Sequence, residues 1–253
     1  MSDVLVLCYH AVSAEWPAGL SVTPERLEAH LAGLLARGYR GATFRDAVLN
    51  PPATRTVAVT FDDAYRSVLD LAAPILRRLG IPGTVFVPTA FAGSEQAMAW
   101  PGIDQWGGGP YEDELVPMSW DELGRLADDG WEIGSHTRTH PRLPELDRDA
   151  LHEELQNSRT ECEARLSTPC TSLAYPFGDH DATVVEAARG AGYSAAGALA
   201  GRVRSPSALS WPRVGIYHGD GDLRFWLKAS PALRRLRASR AWRIRFLLRG
   251  PRE

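Results

Sequence analysis

Short runs of branched and aromatic residues alternate along the chain with stretches in which Leu and Ala recur every three or four positions. Residues 4–9, 57–61, 84–87, 131–135, 172–175, 193–197 and 211–216 have the length and residue types of buried strands. Between them, Thr23-Pro24 opens a helix. Thr offers a side-chain oxygen to a free N–H, and Pro at the first helical position gives up no bond. Leu27, Leu31, Leu34 and Leu35 share one face of that helix, which stops at Gly38. Further helical patterns run through Leu69, Ala72, Ala73, Leu76 and Leu79, from a capping sequence at Ser119, and over 147–166 and 181–189. Residues 90–118, rich in Gly, Pro and Trp, interrupt the rhythm. Such alternation predicts parallel βαβ units in an α/β barrel, closed or nearly closed.

A chain of 253 residues suits one large domain with a well-buried core. Three cysteines with no CxxC spacing argue against a disulfide framework or a thiolate zinc site, and point to a reducing compartment. No stretch has the ~18 apolar residues of a membrane span, and the N-terminus lacks a signal-peptide pattern. The expected location is cytoplasmic. The net charge of −3 hides a segregation. Residues 224–253 carry ten Arg or Lys and one acidic residue, or +9, which leaves −12 for the remainder. The chain therefore divides into a barrel over 1–222 and a basic amphipathic tail over 223–253. In the tail Leu233, Leu236, Ile244, Leu247 and Leu248 form a stripe. Two readings stand: peripheral contact with an anionic inner membrane face, or a cap on the barrel's base. Nucleic acid is not an expected partner, because the rest of the chain is acidic.

The residues able to do chemistry share a position. His10, Asp62, Asp63, His136 and Tyr175 all fall at or just beyond the C-terminal ends of predicted strands, the face on which parallel barrels assemble active sites. In His136-Thr137-Arg138-Thr139-His140 the two imidazoles are four positions apart. That spacing brings both to one divalent metal, with Asp63 as third ligand. Such an ion polarises a carbonyl and acidifies its bound water, and Asp62 is the natural base beside it. Taken singly, Asp63 also reads as a helix cap and the histidines as surface residues.

Thr60-Phe61-Asp62-Asp63 and the HTRTH segment together resemble the polysaccharide deacetylase family, the NodB-homology domains of carbohydrate esterase family 4. The resemblance covers nearly all of residues 4–216. It implies a distorted (β/α)7 barrel, Asp62 as catalytic base, and a metal on Asp63, His136 and His140, with zinc the default and cobalt or nickel alternatives. Ala174-Tyr175-Pro176-Phe177-Gly178 replaces the Arg-rich third motif of many members and resembles the biofilm-polysaccharide branch. In that branch Tyr175, Pro176 and Phe177 would line the sugar site, with the Tyr175 N–H as oxyanion donor. The C-terminal Leu-x-His motif is absent from its usual place. Leu7-Cys8-Tyr9-His10 can replace it, since the branch resembled is circularly permuted in this manner. His10 is then the expected general acid, with His218 the rival. Arg213 is either the partner that holds Asp62 ionised or a surface ion pair. Trp100, Trp106 and Trp120 either stack on sugar rings or pack the 90–118 stretch against the barrel.

The expected activity is metal-dependent hydrolysis of the acetamide of an N-acetylated sugar or sugar conjugate, a lipid-linked or nucleotide-activated precursor being favoured. The alternatives are a non-sugar amide, imide or O-acetyl ester as substrate, or a non-catalytic glycan-binding protein on the same fold.

Overall fold

The computed structural model describes residues 3–203 and 205–238. In chain order its strands are β1 (Asp3–Tyr9), the short pair β2 (Ala11–Val12) and β3 (Ser21–Val22), β4 (Arg40–Ala42), β5 (Arg55–Phe61), β6 (Gly83–Val87), β7 (Glu132–Ser135), β8 (Ser172–Ala174), β9 (Ala195–Leu199) and β10 (Trp211–Gly215). β1, β10, β9, β8, β7, β6 and β5 are neighbours in that order, and β1 pairs again with β5. All these pairings are parallel, so seven strands close into the expected barrel, and β4 extends the sheet beyond β5.

The helices are α1 (Pro24–Ala36), α2 (Phe44–Leu49), α3 (Ala73–Leu79), α4 (Trp120–Asp128), α5 (Arg148–Leu166), α6 (Ala182–Gly190), α7 (Asp222–Ala229) and α8 (Pro231–Ala238). Their starts follow the capping chemistry. The side chain of Thr23 accepts from the Arg26 N–H, Ser119 and Glu122 form a reciprocal capping box, and Asp147 and Asp181 accept from Ala150 and Val184. The helix expected through Leu69 instead opens as a π turn, Val68–Ala72, before α3. Pro74 has no N–H for the Asp70 carbonyl, which loosens that turn. The strand expected over 193–197 lies two residues later, as Ala195–Leu199, because Tyr193 still donates to Ala188 at the end of α6.

Two apolar regions result. The larger lies between the outer strand faces and the helices, and includes Leu5, Leu7, Tyr9, Val57, Val59, Phe61, Val85 and Val87. The smaller fills the barrel with Val6, Ala58, Phe86, Ala174 and Ala195, closed from below by Phe44 and Ala47 of α2. This plug was not foreseen. It is fastened by hydrogen bonds from the Phe44 N–H to Thr84 Oγ1 (2.8 Å) and from the Arg45 N–H to the half-buried Glu132 carboxylate (2.9 Å). With small residues in the interior, the space above the plug is left for polar side chains.

α7 and α8 continue from β10 to the opposite end of the barrel. There Arg234 of α8 pairs with Asp3 and donates to the Val4 carbonyl at 2.9 Å. Leu233 is half-buried and Leu236 exposed; Ile244, Leu247 and Leu248 of the expected stripe lie outside the described residues. No helix among the described residues is long and apolar enough to cross a membrane.

Candidate active site

Strand register brings the first candidates together. Tyr9 of β1 pairs with Phe61 of β5, and the Asp62 N–H donates to the Tyr9 carbonyl at 3.0 Å. The next residue on each strand, His10 and Asp62, therefore emerge side by side at the C-terminal rim. Cys8, two residues before His10 and on the same face, places its thiol 3.4 Å from Asp62 Oδ2. Strand alternation alone would have revealed Cys8, which was missed.

Asp62 and Asp63 are adjacent in sequence and occupy different environments. Asp62 receives a two-pronged pair from Arg213, Nη1 to Oδ1 at 2.6 Å and Nη2 to Oδ2 at 2.8 Å. Both residues are buried, with Arg213 at 1% exposure, so this is no surface ion pair. Burial penalises the Asp62 charge, but the Arg213 guanidinium and then His136 outweigh it and hold the carboxyl well below its usual range. Arg213 reaches that position from β10 by crossing Gly197 of β9. A Cβ on Gly197 would lie 2.5 Å from Arg213 Cδ.

Asp63 turns the other way. Its backbone is left-handed (φ 68°), as are Thr137 (67°) and His140 (61°), a strain that clusters at functional sites. It caps no helix. The HTRTH segment is a tight turn, not a helix, and α5 holds it in place. Glu154 accepts from the N–H groups of Arg138 and Thr139 at 2.8 and 2.9 Å, while the His140 N–H donates to Thr137 Oγ1 at 3.2 Å. The turn aims His136 Nε2 and His140 Nε2 at Asp63 Oδ1, 3.4 and 3.5 Å away.

The chemistry of this trio fits a divalent cation. One ligand atom from each of Asp63, His136 and His140 lies within 4.8 Å of the others. The Nδ1–H of His136 donates to the Ala174 carbonyl at 2.8 Å, which leaves the Nε2 lone pair facing Asp63. Burial pushes both imidazoles down, His140 to about 2, so both present lone pairs. Burial and then the Asp62 charge push Asp63 up, and its buried Oδ1 has no hydrogen-bond partner among the described residues. A cation there would satisfy the orphaned oxygen and offset the crowded carboxylates.

The two candidate acids separate clearly. His10 is half-buried, stacks on Tyr217 (6.3 Å between centroids, 28° between planes) and offers an atom within 4.8 Å of Asp62 and Cys8. Burial lowers it to about 4, against the pull of Asp62. His218 is exposed, its N–H donating to Gly19 and its carbonyl accepting from Arg26, away from this cluster.

The Tyr175-Pro176-Phe177 segment departs from expectation. The Tyr175 N–H donates to the Gly197 carbonyl at 3.0 Å, so the sheet already uses the donor expected for an oxyanion. The Tyr175 side chain is fully buried, bonded to the Leu209 carbonyl at 2.8 Å and stacked on His180. It is a strut, and Pro176 is buried too. Phe177 alone of the three is partly exposed, its ring 4.7 Å from that of His140 and under Arg142. Trp100 is buried against His140 and Trp106 packs on Trp16 and Tyr111. Trp120 lies 5.9 Å from the Arg165 guanidinium.

A sequence profile described as Polysaccharide deacetylase matches residues 50–196, which include Asp62, Asp63, His136, His140 and Tyr175 but neither His10 nor Arg213. The chain is 25% identical over 193 residues to the putative polysaccharide deacetylase YxkH of Bacillus subtilis (strain 168), covering 74% of this chain and 61% of that relative. It thus spans about three fifths of that protein's length. Among solved structures, the Streptococcus pyogenes deacetylase PplD in complex with acetate superposes with a TM-score of 0.72 at 21% identity, covering 90% of this chain and 99% of that one. IcaB from Ammonifex degensii gives 0.69 at 23% identity, covering 92% and 98%. At these identities the likeness establishes the barrel.

Proposed function

The chain belongs to the polysaccharide deacetylase family, and from that premise we propose that it is a metal-dependent N-deacetylase that hydrolyses the acetamide of an N-acetylated sugar or sugar conjugate. The observation that carries this reading is the division of labour between neighbouring carboxylates. Asp63 faces two imidazoles, while Asp62, beside it, is clamped by a guanidinium.

Asp63, His136 and His140 would hold a divalent cation, zinc by default, whose Lewis acidity would polarise the acetamide carbonyl and acidify water. The remaining work falls to side chains of this chain. Asp62, kept ionised by Arg213, accepts the proton of the attacking water. Arg213 fixes which carboxylate oxygens are available and does not itself meet the substrate. His10, beside Asp62, is neutral in the resting site; it takes up the proton that Asp62 has removed from water as negative charge develops on the substrate, and passes it to the departing nitrogen. Phe177, partly exposed beside His140, is the member of its segment that a sugar ring can reach.

The basic segment bears on which precursor is used. Arg234 ties α8 to the strand N-termini, whereas the candidate site opens at the strand C-termini. A membrane surface bound through α8 would leave the mouth facing away from it. A nucleotide-activated sugar therefore suits this arrangement better than a lipid-linked one. The test is acetate release from N-acetylated nucleotide sugars, lipid-linked sugars and oligomers, with and without chelator, for the wild type and Asp62→Asn. Chelator-sensitive release that Asp62→Asn abolishes supports the mechanism. Release unaffected by chelator, or by Asp62→Asn, refutes it, and activity confined to long polymers refutes the precursor reading.

A further inference from the structure

The two histidines of the candidate metal site are held in different ways. His136 is tethered through Nδ1 to the Ala174 carbonyl at 2.8 Å. His140 Nδ1 is buried and has no hydrogen-bond partner among the described residues. Its ring is instead confined between aromatic groups. Trp100 stacks on it (4.3 Å between centroids, 27° between planes), and Phe177 meets it edge-on at 4.7 Å and 61°. Trp100 is only 8% exposed and is fixed in turn by Phe91, at 5.2 Å, and by its carbonyl, which accepts from the N–H groups of Ile103 and Asp104.

We infer that Trp100 and Phe177 form an aromatic clamp that positions His140 for a cation, replacing the hydrogen bond that orients His136. The inference rests on the reading that Asp63, His136 and His140 hold a divalent metal. A ligating imidazole needs its ring plane fixed, and an acceptor on the distal nitrogen is the usual means. Without one, rotation of the His140 ring carries Nε2 away from Asp63. The two ring contacts oppose that rotation. The 90–118 stretch is on this account part of the metal centre through Trp100.

The test measures zinc affinity by competition with a chromophoric chelator, using the full chain. Wild type, Trp100→Phe, Trp100→Leu, Phe177→Leu and Trp106→Leu are compared, with circular dichroism and thermal melting of each metal-free protein. Trp106 belongs to the same stretch but packs on Trp16 at 5.8 Å and Tyr111 at 5.7 Å, which makes it the packing control. Trp100→Leu and Phe177→Leu should each weaken zinc binding by roughly 10- to 100-fold, the usual effect of removing support behind a metal ligand. Trp100→Phe and Trp106→Leu should stay near the wild type. Wild-type affinity in a folded Trp100→Leu protein overturns the clamp, as does equal weakening by Trp106→Leu. Should Trp100→Leu fail to fold, Phe177→Leu, at the half-exposed mouth, decides alone. A wild type that takes up no zinc, cobalt or nickel refutes the metal reading itself, and the clamp with it.

Discussion

Replacing Gly197 with Ala inserts one methyl group into the path of Arg213 while leaving every charged group of the site in place. The added Cβ would sit 2.5 Å from Arg213 Cδ and 2.6 Å from its Nε. Ordinary contacts between such atoms are about 3.5–4.0 Å, so the side chain has to move by roughly 1 Å. Contacts of 2.6 and 2.8 Å to the two Asp62 oxygens cannot both survive such a shift. A hydrogen bond to a charged group contributes about 1.5–3 kcal/mol, which corresponds to roughly 10- to 150-fold in rate if it is felt in the transition state. The three atoms nearest the methyl group all belong to Arg213, so the fall should appear in kcat, with KM and zinc affinity close to the wild type. Acetate release under saturating substrate, chelator competition and thermal melting separate these quantities. A folded Gly197→Ala protein with full turnover would refute the idea that Arg213 acts by orienting Asp62. So would one in which KM rises and zinc affinity falls along with the loss of kcat.

Two further outcomes are expected. His10→Ala should lower acetate release by ~10²–10⁴-fold, the range of general acid catalysis, while His218→Ala leaves it unchanged; the reverse result assigns the acid to the exposed histidine. His30, 2% exposed, lies flat on Phe225 at 3.7 Å with Nδ1 paired to the Tyr9 hydroxyl, and burial lowers it to about 4 despite the pull of Asp222. Because the unfolded chain takes up this proton first, stability should be complete above about pH 6.5 and fall toward pH 4 by at most about 3 kcal/mol. His30→Gln should flatten that slope in urea titrations, and an unchanged slope would rule His30 out.

Much of this was legible in the sequence because it depends on local rules. Strand and helix starts followed from β-branched runs, caps and Pro24. The two motifs pointed to Asp62, Asp63, His136 and His140 because strand ends in a parallel barrel share a face. What escaped the sequence depends on long-range packing. Whether Arg213 reached Asp62 turned on its passage over Gly197, a residue on another strand. The engagement of the Tyr175 N–H by Gly197 was invisible for the same reason. α2, six residues long, was too short to show a helical period, yet it plugs the barrel. The packing of Trp100 on His140 lies inside a stretch with no regular pattern to read.

Barrel closure has a consequence for the order in which the molecule becomes competent. β1 and β5 pair along their whole length, so the strands bearing His10 and Asp62 meet using only the first quarter of the chain. Arg213 sits on β10, the last strand among the described residues, which must dock against both β9 and β1 to complete the ring. Until it does, Asp62 lacks the guanidinium that fixes its two oxygens, and with the seam open its carboxylate is left to water. The final seam thus supplies a structural strand and a missing charge at once. A chain still open at that seam would have a base neither clamped nor shielded from bulk water, so hydrolytic power would emerge only with the finished ring.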